Sequence, residues 1–160
     1  MVLPDPWSNQ AVPGLSRGDL AEATRRLAAA GCIAPAEEAE ELAAVALGDG
    51  AVLAGLVERR TTGEPLAWIT GTVVFCGRSV VVTPGVFVPR WQSEPLAERA
   101  AELLPRNGRA IDLGTGSGAL ACVLVDRCPG ASVLGTERDP VAAECARRNG
   151  ITVVEGNLFE

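Results

Sequence analysis

The chain has 160 residues, of which 48% are hydrophobic and 21% charged, and it carries a net charge of −6. That length suits one ordinary domain, or a small domain plus part of a second, and the balance favours a packed core over disorder. Histidine is absent, which excludes His-based triads, His general bases and ordinary His-containing metal sites.

The acidic charge comes without the basic patch of a nucleic-acid binder, so nucleic acid is not an expected partner. Arginine supplies every basic charge and lysine is missing, a pattern read as coding bias. The cysteines are Cys32, Cys76, Cys122, Cys128 and Cys145. None has C-x-x-C spacing, so neither a zinc site nor a thioredoxin-like motif is expected. An odd number of cysteines without a secretory leader fits a reducing cytosol. No apolar run approaches the ~18 residues of a membrane span.

In chain order, residues 1–18 are rich in Pro, Gly and polar groups, with Trp7 as an anchor candidate. Asp19 is placed to cap a helix through Leu20, Ala23, Leu27 and Ala30 that stops at Gly31. Pro35 opens a second helix, with Glu37, Glu38, Glu40 and Glu41 near its start and Gly48 at its end. Asp49 caps a third, with Val52, Leu53, Leu56 and Val57 on one face. Three short helices on tight loops form a small bundle. After Gly71, the runs 73–75 and 79–82 flank Cys76-Gly77-Arg78 as a β-hairpin, and Val86 to Val88 is a further extended piece. Ser93 is placed to cap a helix reaching Leu104, with Leu96, Ala100, Leu103 and Leu104 inward.

From Arg109 the pattern alternates. Strand 110–113, helix 117–127, strand 132–136, a helix capped by Asp139 and ending at Gly150, then strand 151–154 make a parallel sheet with helical crossovers. The fold class is therefore α/β. It comprises a helical domain over 1–71, a hairpin linker over 72–90, and part of a Rossmann-like sheet over 91–160.

Asp112-Leu113-Gly114-Thr115-Gly116-Ser117-Gly118 lies where a strand turns into a helix. Gly114 and Gly116 permit a tight turn and close approach of a ligand to the backbone. With Ala119 they also satisfy the loose dinucleotide fingerprint G-x-G-x-x-G/A. Asp112 weighs against a pyrophosphate there, because a carboxylate repels it. S-adenosylmethionine lacks phosphate and carries an ammonium and a sulfonium, so electrostatics favour it over NAD. Asp112 as a plain turn residue remains the blander alternative. Glu137, one crossover later, suits the hydroxyls of a ribose, and Asp139 suits a helix N-cap before Pro140. Asn157 is placed either to meet an adenine edge, with Leu158 or Phe159 on its face, or simply to turn the chain.

The segment Gly63-Glu64-Pro65-Leu66-Ala67-Trp68-Ile69-Thr70-Gly71 and the loop 112–118, in this order, resemble the protein-(glutamine-N5) methyltransferases of peptide-chain release factors. Pro89-Arg90-Trp91-Gln92-Ser93-Glu94 falls where that family has P-R-P-E-T-E, and Gly156 to Phe159 where it has G-D-L-F. The resemblance spans roughly residues 15–160. It implies a helical domain that helps dock the release factor, and the N-terminal half of a class I methyltransferase sheet. It also implies S-adenosylmethionine held by Asp112, Gly114, Thr115, Gly116, Ser117, Gly118, Glu137, Asn157 and Leu158, with Arg90 and Glu94 on the substrate side. The implied reaction methylates the glutamine amide of a Gly-Gly-Gln motif in the cytoplasm.

The sequence departs from the pattern at Trp91, Gln92 and Asn157, and it holds no Asn-Pro-Pro-Tyr motif. This polypeptide alone is therefore expected to lack turnover, and a half sheet is expected to self-associate through its open edge and apolar face. Two other readings stand beside this one. One is a non-catalytic remnant that binds S-adenosylmethionine or a partner; the other, weaker, is a nicotinamide-dependent oxidoreductase fragment.

Overall fold

The computed structural model describes residues 14–157. The expectations placed on Trp7, Leu158 and Phe159 concern residues outside that range. The chain divides into two compact units, 1–70 and 71–160.

The first unit is helical: α1 (Arg17–Ala29), α2 (Pro35–Ala46), α3 (Gly50–Thr61) and a short α4 (Leu66–Thr70). Ser16, rather than Asp19, is the N-cap of α1. Its hydroxyl accepts from the Asp19 N–H at 3.2 Å, and the Asp19 carboxylate accepts in return from the Ser16 N–H at 2.8 Å. The pair is a capping box. The Ser16 hydroxyl and N–H also hold the Asp19 carboxyl below its ordinary pKa. Asp49 caps α3 through the Ala51 and Val52 N–H groups. The chain leaves α2 at Leu47, already left-handed at φ 51°, one residue before Gly48. Leu27, Leu42, Leu53 and Val57 are buried among Ala23, Ala39, Ala43 and Ala46. Alanines at these faces let the helices approach closely, and each buried leucine contributes about 2 kcal/mol. Arg60 pairs with Glu38 at 2.6 Å, tying α3 to α2. In the nine-residue segment, Glu64 binds Arg59, and Ala67 and Ile69 enter the core.

The second unit opens with the hairpin β1 (Thr72–Phe75) and β2 (Arg78–Val81), antiparallel about Cys76 and Gly77. Both turn residues have positive φ, 49° and 76°, as a two-residue turn of the primed type requires. The hairpin is packed rather than free-standing: Phe75 and Val80 bury against Ala97, Ala119 and Val123. Then follow α5 (Glu94–Leu103), β3 (Arg109–Leu113), α6 (Ala119–Arg127), β4 (Ser132–Glu137), α7 (Pro140–Arg148) and β5 (Val153–Glu155). The strands β3, β4 and β5 are parallel, in that order across the sheet.

Several local expectations are corrected. The Ser93 side chain makes no cap bond. In α5 the fully buried residue is Ala97, while Leu96 and Leu103 are exposed. The buried stripe runs one position later than the leucines suggest, because Ala97 meets the hairpin core. The segment 86–88 forms no strand, although Val86 is buried. The third strand begins at Val153 rather than Ile151, which is buried among Ala121, Cys122 and Ala146. Helix α6 begins at Ala119 rather than Ser117, since Gly116 and Gly118 both take left-handed backbone.

Among the described residues, one face of the sheet is uncovered. Register places Ile111 beside Leu134, and Leu113 beside Thr136 and Val154. Parallel partners share a face, and Ile111, Leu113 and Val154 are all exposed.

Candidate functional site

The loop between β3 and α6 forms one wall of a cleft of about 490 Å³. Asp112, Gly114, Thr115, Gly116 and Ser117 line it, joined by Glu137 and Asp139 from the end of β4. The opposite wall is Phe75 of the hairpin with Gly85, Val86, Phe87, Pro89 and Arg90. Apart from Arg90, already a substrate-side candidate, this second wall is what sequence reasoning missed. Its signal was the apolar Val86-Phe87-Val88 run, read only as an extended segment.

Asp112 stands one residue before the end of β3 and is half-buried. The Thr115 hydroxyl donates to its carboxylate at 2.7 Å, and the Thr115 N–H donates to the Thr136 carbonyl at 2.9 Å. Thr115 therefore folds down onto β4. Gly135 makes that possible, because a Cβ there would lie 2.9 Å from the Thr115 methyl. Glu137 is held by three backbone donors: Gly116 N–H at 2.9 Å, Arg138 N–H at 2.8 Å and Asp139 N–H at 3.1 Å. Oε1 takes the Arg138 and Asp139 bonds and Oε2 the Gly116 bond. A carboxylate offers about four acceptor positions, so the one left for a hydroxyl is on Oε2. Asp139 caps α7 through the Val141 N–H at 2.8 Å.

These bonds decide what kind of ligand the loop suits. A phosphate-binding loop leaves its amides free to point at the anion. Here Thr115 N–H goes to Thr136, Gly116 N–H to Glu137 and Gly118 N–H to the Thr115 carbonyl. Among the described residues, three carboxylates and one guanidinium line the cleft. Gly114 and Gly116 have φ of 68° and 57°, and a Cβ built on either would meet nothing within 4 Å. The donor set fits a cationic or neutral group lying close above the loop, not a pyrophosphate.

Gly118 plays a different part from its neighbours. It does not line the cleft, and a Cβ there would lie 3.0 Å from Ile151 and 3.1 Å from Ala146. It lets α6 pack closely beside α7. Arg90 faces the cleft with its guanidinium 5.3 Å from the centre of the Phe87 ring, within cation–π range. Glu94 does not line the cleft. Its carboxylate accepts from the Cys76 N–H at 3.0 Å and steadies the hairpin turn. Asn157 follows β5 and is not among the lining residues.

Residues 78–154 match the methyltransferase small domain. That match lies within the second unit. The chain is similar to proteins named release factor glutamine methyltransferase from several bacteria. It is 43% identical to that of Geobacter sulfurreducens over 112 residues, 66% of this chain and 39% of the relative. With that of Neisseria gonorrhoeae it shares 45% over 94 residues, 59% and 34% of the two chains. With that of Mycolicibacterium smegmatis it shares 42% over 143 residues, 79% and 51%. The chain thus spans about half or less of the length of these relatives.

Proposed function

We propose that the chain carries the S-adenosylmethionine-binding part of a methyltransferase acting on the glutamine amide of a peptide-chain release factor. The observation that carries the reading is that the Thr115, Gly116 and Gly118 amides of the loop are taken by Thr136, Glu137 and Thr115, beside three carboxylates, an arrangement hostile to phosphate. The similarity to release factor glutamine methyltransferases supports the choice of acceptor.

In this reading Asp112 balances the ammonium or sulfonium charge, and Glu137 accepts from a ribose hydroxyl. Gly114 and Gly116 let the ligand lie against the backbone. When bound, S-adenosylmethionine supplies a methyl group made electrophilic by the adjoining sulfonium. An amide nitrogen is a weak nucleophile, so the protein must contribute chiefly by alignment and by fixed dipoles. Arg90, stacked on Phe87 at the edge of the cleft, is the substrate-side candidate that faces it; Glu94 serves the hairpin. The helical first unit is the proposed docking element for the release factor, in the cytoplasm. Self-association through the uncovered sheet face belongs to the same proposal.

Titration calorimetry on this chain with S-adenosylhomocysteine, and separately with NAD, tests the assignment. Binding of the first and not the second is expected. NAD binding, or no heat from either, would refute it. Binding is the right readout because the matches cover 34–51% of these relatives.

A further inference from the structure

The two walls of the cleft come from distant parts of the sequence, and one buried side chain connects them. Asn149, at the C-terminal end of α7, is 7% exposed. Its amide nitrogen lies 2.8 Å from the Val81 carbonyl, 2.8 Å from the Ser117 carbonyl and 3.3 Å from the Cys145 carbonyl. Its amide oxygen accepts from the Val81 N–H at 2.8 Å. Val81 thus exchanges both backbone groups with one amide, much as it would with a neighbouring strand. The Asn149 carbonyl also accepts from Arg78 on β2 at 3.0 Å and from the Cys122 thiol of α6 at 3.6 Å. Burial pushes that thiol's pKa up, which keeps it a donor.

We infer that Asn149 is a positioning residue that fixes the hairpin wall of the cleft against its glycine-loop wall. It lines neither wall. One side of its amide holds β2, whose continuation supplies Val86, Phe87 and Arg90; the other holds Ser117, where the loop enters α6. Few side chains could substitute. Aspartate keeps the shape but turns an acceptor toward the Val81, Ser117 and Cys145 carbonyls. Alanine leaves the Val81 N–H and the buried Ser117 carbonyl without these partners, and the Val81 carbonyl with the Cys145 thiol at 3.3 Å, a costly state. The inference rests on the cleft being a ligand site, and two readouts separate its failure from the failure of that reading.

Asn149→Ala is compared with Val153→Ala, which removes packing from the same core without touching the amide bonds. Each is measured well below its Tm. Asn149→Ala should weaken S-adenosylhomocysteine binding about tenfold or more, whereas Val153→Ala should change it less than twofold. In the ligand-free chain, amide exchange in Asn149→Ala should speed up together at Val81 and Gly118, with no such coupling in Val153→Ala. If Asn149→Ala does not accumulate folded, Asn149→Asp is used with the same expectations. Affinity unchanged within twofold, or exchange that rises in only one of the two segments, would overturn the inference. If the parent chain binds no S-adenosylhomocysteine, the cofactor reading fails, and the exchange comparison alone decides whether Asn149 couples the walls.

Discussion

At the scale of single residues, three glycines that look alike in sequence have separate duties. Gly114 and Gly116 open onto the cleft, whereas Gly118 faces Ile151 and Ala146. Gly118→Ala would put a methyl into that contact and an L-residue at φ 81°. A loss on the order of 2 kcal/mol or more is expected, read as a fall in Tm of several degrees. Gly114→Ala meets only open space, so its stability loss should be about half as large and its main effect should be on ligand affinity. Equal stability losses would contradict the division of labour. The loop was legible in the sequence because glycine spacing reports backbone geometry directly. Gly135 and Asn149 were not legible, since their importance comes from Thr115, Val81 and Ser117, which only the fold brings beside them.

At the scale of elements, helix starts were read well where one residue decides, as at Pro35, Asp49 and Asp139. The start of α1 was placed at Asp19 because that residue precedes the apolar pattern; in the capping box it is the third helical residue, and Ser16 the cap. The box has a pH signature. The Asp19 carboxyl titrates lower in the folded chain than in the unfolded one. Its contribution is therefore fully present above about pH 4 and is lost as pH falls through the lower, folded value. Circular dichroism of Asp19→Asn should show less change in helicity than the parent on acidification below pH 4; an identical acid transition would exclude the effect. The inward face of α5 was misread because leucines outrank alanine on any hydrophobic scale. Ala97 is the α5 residue that packs with Phe75 and Val80 of the hairpin, a matter of tertiary fit.

At the scale of the whole molecule, the alternation of strands and helices announced a parallel α/β unit, and the structure agrees. The pairing of the hairpin with Ala97, Ala119 and Val123 had no local signal, because long-range packing leaves little trace in a short strand. The uncovered face of β3, β4 and β5 leads to a solution prediction. Ile111→Lys and Leu113→Lys, alone or together, should reduce self-association of the chain in concentration-dependent light scattering. A parent already monomeric at high concentration would remove the basis for it. The carboxylates lining the cleft reach further than any contact. Together with the net charge of −6, they set up a field that draws cations toward the entrance and turns phosphorylated metabolites away. At physiological ionic strength that influence shrinks to roughly 8 Å, so discrimination among passing solutes is sharpest in dilute salt.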